Sequence, residues 1–169
     1  MKPILKWPGG KSWASGWIVE QVLAHAKPSC YIEPFIGGGA VFFRLEPSTG
    51  IISDTNEELV NVYRQVRDNP EGLVRILSRF TACRDEYYRI RGNRSARSLR
   101  RAAEMLYLNR TCFGGIYRVN SKGIFNVPFG GGERDHSVLY KTDLLFRASD
   151  VLRDVDIQCC DFSISMKAA

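Results

Sequence analysis

The sequence predicts an α/β protein in which a parallel, Rossmann-like sheet is interrupted by a mostly helical insertion. Three observations lead there. YIEPFIGGGAVFF, residues 31–43, reads as a strand, a tight glycine turn and a helix start. A second apolar run at 50–53 follows closely, ends on an acid and leads into a helix, the layout of a βαβ unit. A third strand-like run, 155–160, comes only after a long stretch of helical periodicity.

In chain order, 30–34 is the first strand and 40–45 the helix after the glycines. Residues 50–53 form the second strand. Thr55-Asn-Glu-Glu58 has capping-box spacing and opens a helix whose apolar positions are Leu59, Val62, Tyr63 and Val66. Pro70 suits the first turn of the next helix, which runs through Leu73, Leu77 and Phe80. Residues 95–109 make a further helix with Ala96, Leu99, Ala102, Ala103 and Leu106 on its apolar face and Arg97, Arg100 and Arg101 turned outward. The stretch 110–133 is rich in glycine, aromatics and arginine and periodic in neither sense. It is too long for a passive connector and reads as a working loop or hairpin. The implied division is a core of 1–55 and 151–169, with an insertion of 56–150 carrying a hairpin at 110–130.

At 169 residues the chain suits one domain of ordinary size, and its 25% charged and 44% hydrophobic residues are those of a globular protein. No apolar run reaches the roughly 20 residues of a membrane helix, and the N-terminus lacks the apolar stretch of a signal peptide, so the cytoplasm is expected. Cys30, Cys83, Cys112, Cys159 and Cys160 show no CxxC spacing and are expected to be buried free thiols, with no metal site. His25 and His136 are read as structural or solvent-facing. The charge is uneven. Residues 84–135 hold eleven Lys and Arg against five Asp and Glu, an excess equal to the whole chain's net charge of +6. Ten of those cations are arginine, whose planar fork suits phosphate and guanine edges. The expected partner is a polyanion, nucleic acid foremost.

Three readings compete for the glycine turn. A P-loop needs G-x-x-x-x-G-K-[ST], but Gly37–Gly39 is followed by Ala40-Val41, and in Pro8–Ser12 Leu5 stands where the first glycine belongs. A dinucleotide fingerprint needs G-x-G-x-x-G, and Phe42 occupies the sixth position from Gly37. The third reading fits better: Glu33 before the turn and Asp54 at the end of the next strand flank a turn that carries no phosphate signature. A carboxylate at a strand tip is placed to take two ribose hydroxyls, and Glu33 to meet a cationic group. A cationic nucleoside without phosphate describes S-adenosylmethionine. The competing role for Asp54 is simply to cap the helix beside it.

These residues resemble the Dam-type (D12 class) DNA adenine-N6 methyltransferases over nearly the whole chain. LKWPGGK (5–11) resembles the family's N-terminal cofactor segment, YIEPFIGGGAVFF its glycine motif, SDTNEELVNVY (53–63) its ribose acid and following helix, and YLNRTCFGGIYRVNSKGIFNVPFG (107–130) its DNA-reading hairpin. The resemblance implies a Rossmann-like S-adenosylmethionine-dependent methyltransferase fold, here its N-terminal part, with an inserted, mostly helical DNA-recognition domain. It places Trp7, Lys11, Glu33, Phe35, Gly37, Gly39 and Asp54 around S-adenosylmethionine, and Asp161 and Phe162 on the cofactor's adenine side. It implies a duplex DNA partner contacted by Arg97, Arg110, Phe113, Ile116, Arg118, Asn120 and Pro128, with Arg118 reading guanine and Ile116 and Pro128 suited to a thymine methyl. The family often has an aromatic-Asn pair in this hairpin; here the pair is Phe113-Gly114.

Such an enzyme flips adenine out of the duplex and accepts its amino hydrogens with the Asp and a proline carbonyl of Asp-Pro-Pro-Tyr. This chain has no Pro-Pro, and NVPF (126–129) falls inside the hairpin, so no catalytic residue is assigned. The expectation is therefore the first part of a methyltransferase, with an unpaired sheet edge open to self-association. The alternatives are a non-catalytic DNA- and cofactor-binding fragment, or a small-molecule nucleotide-binding protein without a DNA role.

Overall fold

Gly50–Asp54 (β2) is the middle strand of a parallel sheet, flanked by Tyr31–Pro34 (β1) and Val155–Cys159 (β3) in the order β1-β2-β3. The computed structural model describes residues 1–25, 30–132, 139 and 141–168; His136 lies outside them. Ile52 is fully buried at the sheet's centre, and both neighbours pair with β2 in register, Glu33 with Ile52 and Asp54 with Cys159. The chain is a mixed α/β protein.

Between the strands the helices are α1 (Ser15–His25), α2 (Phe42–Leu45), α3 (Glu57–Asp68), α4 (Pro70–Leu77), α5 (Arg84–Gly92), α6 (Ser98–Thr111) and α7 (Thr142–Leu152); α8 (Phe162–Ser165) follows β3. The helix after the glycines starts at Phe42 rather than residue 40, because the turn extends through Val41. The cap of α3 is Asn56, not Thr55: the Asn56 side-chain oxygen accepts from Leu59 N at 3.2 Å, and Thr55 is exposed. Glu58, the far end of the expected capping box, is instead paired with arginines of the α6 region. Pro70 does begin α4, capped by Asn69 onto Gly72 N at 3.0 Å, and Phe80 lies beyond its end.

The expected helix at 95–109 runs from Ser98 to Thr111. Ser95 N is taken by the Glu104 carboxylate at 2.8 Å, which holds this segment outside the helix and leaves Ala96 exposed. Along α6 almost every position from Ala102 to Asn109 is buried, so the helix is wrapped on all sides and is not merely amphipathic. It packs on α3, α4 and α5, while α3 packs on β2, β3 and α7. One hydrophobic core, from Ile4 and Phe42 through Tyr63 and Leu73 to Tyr107 and Leu152, is therefore continuous across residue 55, where the sheet was expected to give way to an insertion.

After α6 the chain turns through a 3₁₀ segment, Phe113–Gly115, into an irregular hairpin. Antiparallel bridges join Cys112 to Phe129 and Val119 to Phe125, and Asn120 N and Asn126 N donate across it. Its buried rungs, Phe125 and Val127, anchor it to α5, where Tyr87 donates its hydroxyl to Val127 O at 2.7 Å. No helix of the described residues is long and apolar enough to cross a membrane.

Candidate ligand cavity and basic hairpin

The glycine turn sits at the C-terminal ends of β1 and β2, where open α/β sheets form ligand crevices. Gly37 and Gly39 have φ of +49° and +69°, a region that side chains rarely adopt. A Cβ on Gly39 would lie 2.8 Å from the Phe43 ring and 3.1 Å from the Tyr63 hydroxyl, so the turn closes directly onto the core. Tyr63, fully buried in α3, props the turn from below by donating to Gly37 O at 2.6 Å.

A cavity of about 360 Å³ opens above the turn. Trp7, Lys11, Glu33, Phe35, Gly37 and Asp54 all line it. Gly39 lies beneath it, and Asp161 and Phe162 stand outside the lining. Phe162 nevertheless meets the cavity through Phe35, the two exposed rings lying 5.2 Å apart. Phe35 holds its ring there at φ +60°, which costs a bulky residue about 1–2 kcal/mol. Strain of this kind persists where surrounding structure holds a functional group in place. Asp161 accepts from Ser163 N at 2.9 Å as the cap of α8, and hydrogen bonding from the Ser163 side chain and backbone holds its carboxyl below the usual carboxylate range.

The two acids are held differently. Asp54 accepts from Gly37 N at 3.1 Å with one oxygen and from Asn56 N at 3.0 Å with the other. It thus ties the glycine turn to the start of α3 and is aimed into the cavity between them. Each oxygen keeps lone-pair capacity for a further donor. Glu33 accepts from the Tyr31 hydroxyl at 2.7 Å, and no cation reaches it among the described residues. Burial raises its pKa, partly offset by that hydroxyl and the Phe42 backbone. The field of both acids adds to burial in raising the Tyr63 pKa. Lys11 is exposed at the rim and donates to Gly9 O at 2.7 Å.

On the hairpin, Phe113, Ile116, Arg118, Asn120 and Pro128 are all exposed. Arg118 is pre-aimed across the hairpin, its Nε donating to Asn126 Oδ1 at 2.8 Å. Asn120 is committed to the tip: its Oδ1 accepts from Lys122 N and Ile124 N at 2.9 and 3.0 Å. Arg110, expected on the DNA face, is turned inward instead, with Nη2 donating to Ile4 O at 2.6 Å; burial lowers its pKa. Arg97 and Arg100 are exposed as expected and Arg101 partly so, but the last two are tied to acids. Arg101 pairs with Glu58, and Arg100 with the nearly fully buried Glu104 at 3.1 Å; Arg94 bridges both acids. Arg97 is exposed, and no described acid pairs with it. Much of the basic excess on α6 is thus neutralised within the protein.

Sequence reasoning missed Tyr31, Tyr63, Asn109, Tyr117 and Asn126. Only Tyr31 had a readable signal: it stands two residues before Glu33 in a strand, hence on the same face.

A parallel α/β sheet with a glycine turn and two acids at its strand ends is a layout in which open α/β sheets form ligand crevices, here beside a basic hairpin. Residues 7–169 match the family described as D12 class N6 adenine-specific DNA methyltransferase. The Type II methyltransferase M1.LlaDCHI of Lactococcus lactis subsp. cremoris is 38% identical over 100% of this chain and 62% of its own length. M.MjaIII of Methanocaldococcus jannaschii is 37% identical over 97% and 63%. The DNA adenine methylase of Haemophilus influenzae is 34% identical over 99% and 59%. The chain spans about 60% of the length of these relatives. It belongs to the D12 class of N6 adenine-specific DNA methyltransferases.

Proposed function

We propose that the chain carries the cofactor half-site and the DNA-reading hairpin of a site-specific enzyme that transfers a methyl group from S-adenosylmethionine to adenine N6 in duplex DNA. The arrangement is a Rossmann-like core of 1–55 and 151–169 with the recognition insertion at 56–150. The observation that carries this reading is the convergence of Glu33 and Asp54 on one cavity around a phosphate-free glycine turn. The residues fit the cofactor's chemistry. Asp54, fixed by two backbone donors, takes the ribose hydroxyls on its remaining lone pairs. Glu33 faces the positive charge of the amino acid end, and Lys11 at the rim faces its carboxylate. Phe35 and Phe162 edge the adenine. The bound cofactor supplies a methyl group activated on sulfonium sulfur.

The hairpin supplies the second half of the reading. Arg118 offers its fork to a guanine edge, flanked by Ile116 and Pro128, and Phe113 stands exposed where a displaced base leaves a gap. Arg97 contributes a phosphate contact. The protein acts in the cytoplasm, and copies self-associate, when they do, through the β1 edge.

Transfer of labelled methyl from S-adenosylmethionine into mixed-sequence duplex DNA tests the enzyme reading, with the label recovered as N6-methyladenine. A second reading is a module that binds DNA and cofactor without catalysis. A salt-dependent gel shift and calorimetric binding of S-adenosylhomocysteine without methyl transfer support the module. Absence of both bindings overturns both readings.

A further inference from the structure

The cavity and the hairpin meet at one residue. Trp7 lines the cavity and lies on the glycine turn: a Cβ placed on Gly37 would stand 3.0 Å from the indole Cδ1, and one on Gly38 3.1 Å from the Trp7 Cβ. The same indole stacks on Tyr117 of the hairpin, with centroids 4.8 Å apart and planes 18° from parallel. Tyr117 in turn leans on the buried Phe125 of the opposite hairpin strand, 5.8 Å away, and is the immediate neighbour of Arg118.

The backbone beside Trp7 is clamped as well. Asn109, buried in α6, accepts from Lys6 N at 2.9 Å and donates to Lys6 O at 2.7 Å, as a strand neighbour would. The same amide donates to Gly115 O at 3.3 Å, where the hairpin begins. The Lys6 stem lies so close to Gly115 that a Cβ there would fall 2.4 Å from it. The segment carrying Trp7 is therefore held by the root of the hairpin on one side and by the glycine turn on the other.

We infer that Tyr117 and Asn109 are positioning residues for the cofactor cavity: they hold the Trp7 wall, so that engagement of the hairpin by DNA and occupancy of the cavity favour each other. This rests on the reading of the cavity as the S-adenosylmethionine site. Nothing in Tyr117 touches the cavity itself; it acts only through the indole it stacks on. The coupling is reciprocal by linkage, so whatever the duplex adds to cofactor affinity the cofactor adds to duplex affinity.

The test is calorimetric titration of the full chain with S-adenosylhomocysteine, with and without a mixed-sequence duplex. Tyr117→Leu removes the ring but keeps apolar volume, Tyr117→Phe keeps the ring, and thermal melting checks that each variant folds. The Leu variant is expected to bind about 2- to 10-fold more weakly, the span that one aromatic stack supplies. It is also expected to lose the gain in affinity that the duplex gives the parent chain. The Phe variant restores both. Asn109→Ser, which cannot reach both Lys6 groups, is expected to follow the Leu variant. If the parent chain fails to bind S-adenosylhomocysteine, the cavity reading falls. If the parent binds and folded Tyr117→Leu binds equally well, with the same response to duplex, the positioning role falls. A Phe variant as weak as the Leu variant also overturns it, because the stack would then not be what matters.

Discussion

Asp54 braces the glycine turn, and substitution separates that task from the proposed ribose contact. Its carboxylate takes the Gly37 and Asn56 backbone N–H groups, at 3.1 and 3.0 Å. Bonds to an ionised acceptor are each worth about 1.5–3 kcal/mol, a ceiling of roughly 3–6 kcal/mol for the pair. The site is only half-buried, so water replaces part of this, and Asp54→Ala is expected to destabilise the fold by about 2 kcal/mol. Asp54→Asn keeps one oxygen acceptor but turns an NH₂ toward the other donor, for a loss of about 1 kcal/mol. Both variants therefore fold, and the Asn variant is the cleaner probe. A carboxylate accepting two ribose hydroxyls contributes about 3 kcal/mol, so Asp54→Asn is expected to raise the Kd for S-adenosylhomocysteine about 100-fold. Titration calorimetry reads the affinity and circular dichroism melting reads the fold. A folded Asn variant with parental affinity would refute the ribose role and leave Asp54 a brace for the turn.

On the proposed reading, cofactor binding is expected to depend on pH through Glu33. Burial raises its pKa, so it favours the fold when neutral, and that contribution is lost as pH rises from the ordinary carboxylate value through the raised one. A cationic ligand favours the ionised form, so affinity is expected to rise over the same window and Glu33→Gln to flatten the profile; a pH-independent affinity in the parent chain counts against the contact. Arg118→Ala is expected to cost about 1–3 kcal/mol on the preferred sequence and little elsewhere in competitive gel shifts. A uniform loss with a salt slope smaller by about 1 would make Arg118 a phosphate contact. Arg94→Ala leaves Glu58 and the buried Glu104 without their shared cation and is expected to destabilise by about 3 kcal/mol in urea melts. Arg97→Ala is expected to leave the melt unchanged and weaken DNA retention; the opposite pattern would overturn the division between structural and free arginines.

What could be read from the sequence was local. Strand, turn and helix at 31–45 follow from apolar runs meeting glycines, and Pro70 marks a helix start because its ring fixes φ. The convergence of Trp7, Lys11, Glu33, Phe35, Gly37 and Asp54 on one cavity was reached through the turn chemistry and family resemblance together. Long-range pairing was not legible. Arg97, Arg100 and Arg101 pattern as a solvated face, and only the fold brings Glu58 of α3 against Arg101 and Arg94. Arg110 carries the same charge as its neighbours, and only the return of residue 4 beneath α6 takes it inward. Among the helices, α5 (RDEYYRIRG) is dominated by charged residues and α1 (SGWIVEQVLAH) scatters Ser, Glu, Gln and His among its apolar residues, so neither shows the periodicity that made α3 visible.

Two guanidinium groups of α3 decide how the sheet can grow. Cys160 N donates to Asp54 O, so residues 156, 158 and 160 turn toward β2, and the Val155 and Ile157 carbonyls turn away from it. Arg64 closes on Ile157 O at 2.7 Å and Arg67 on Val155 O at 2.9 Å. An incoming strand finds those acceptors already taken, so β3 is a sealed rim. Any additional strand, from this polypeptide or from a second copy, is expected at β1, the same strand that carries Glu33 to the cavity.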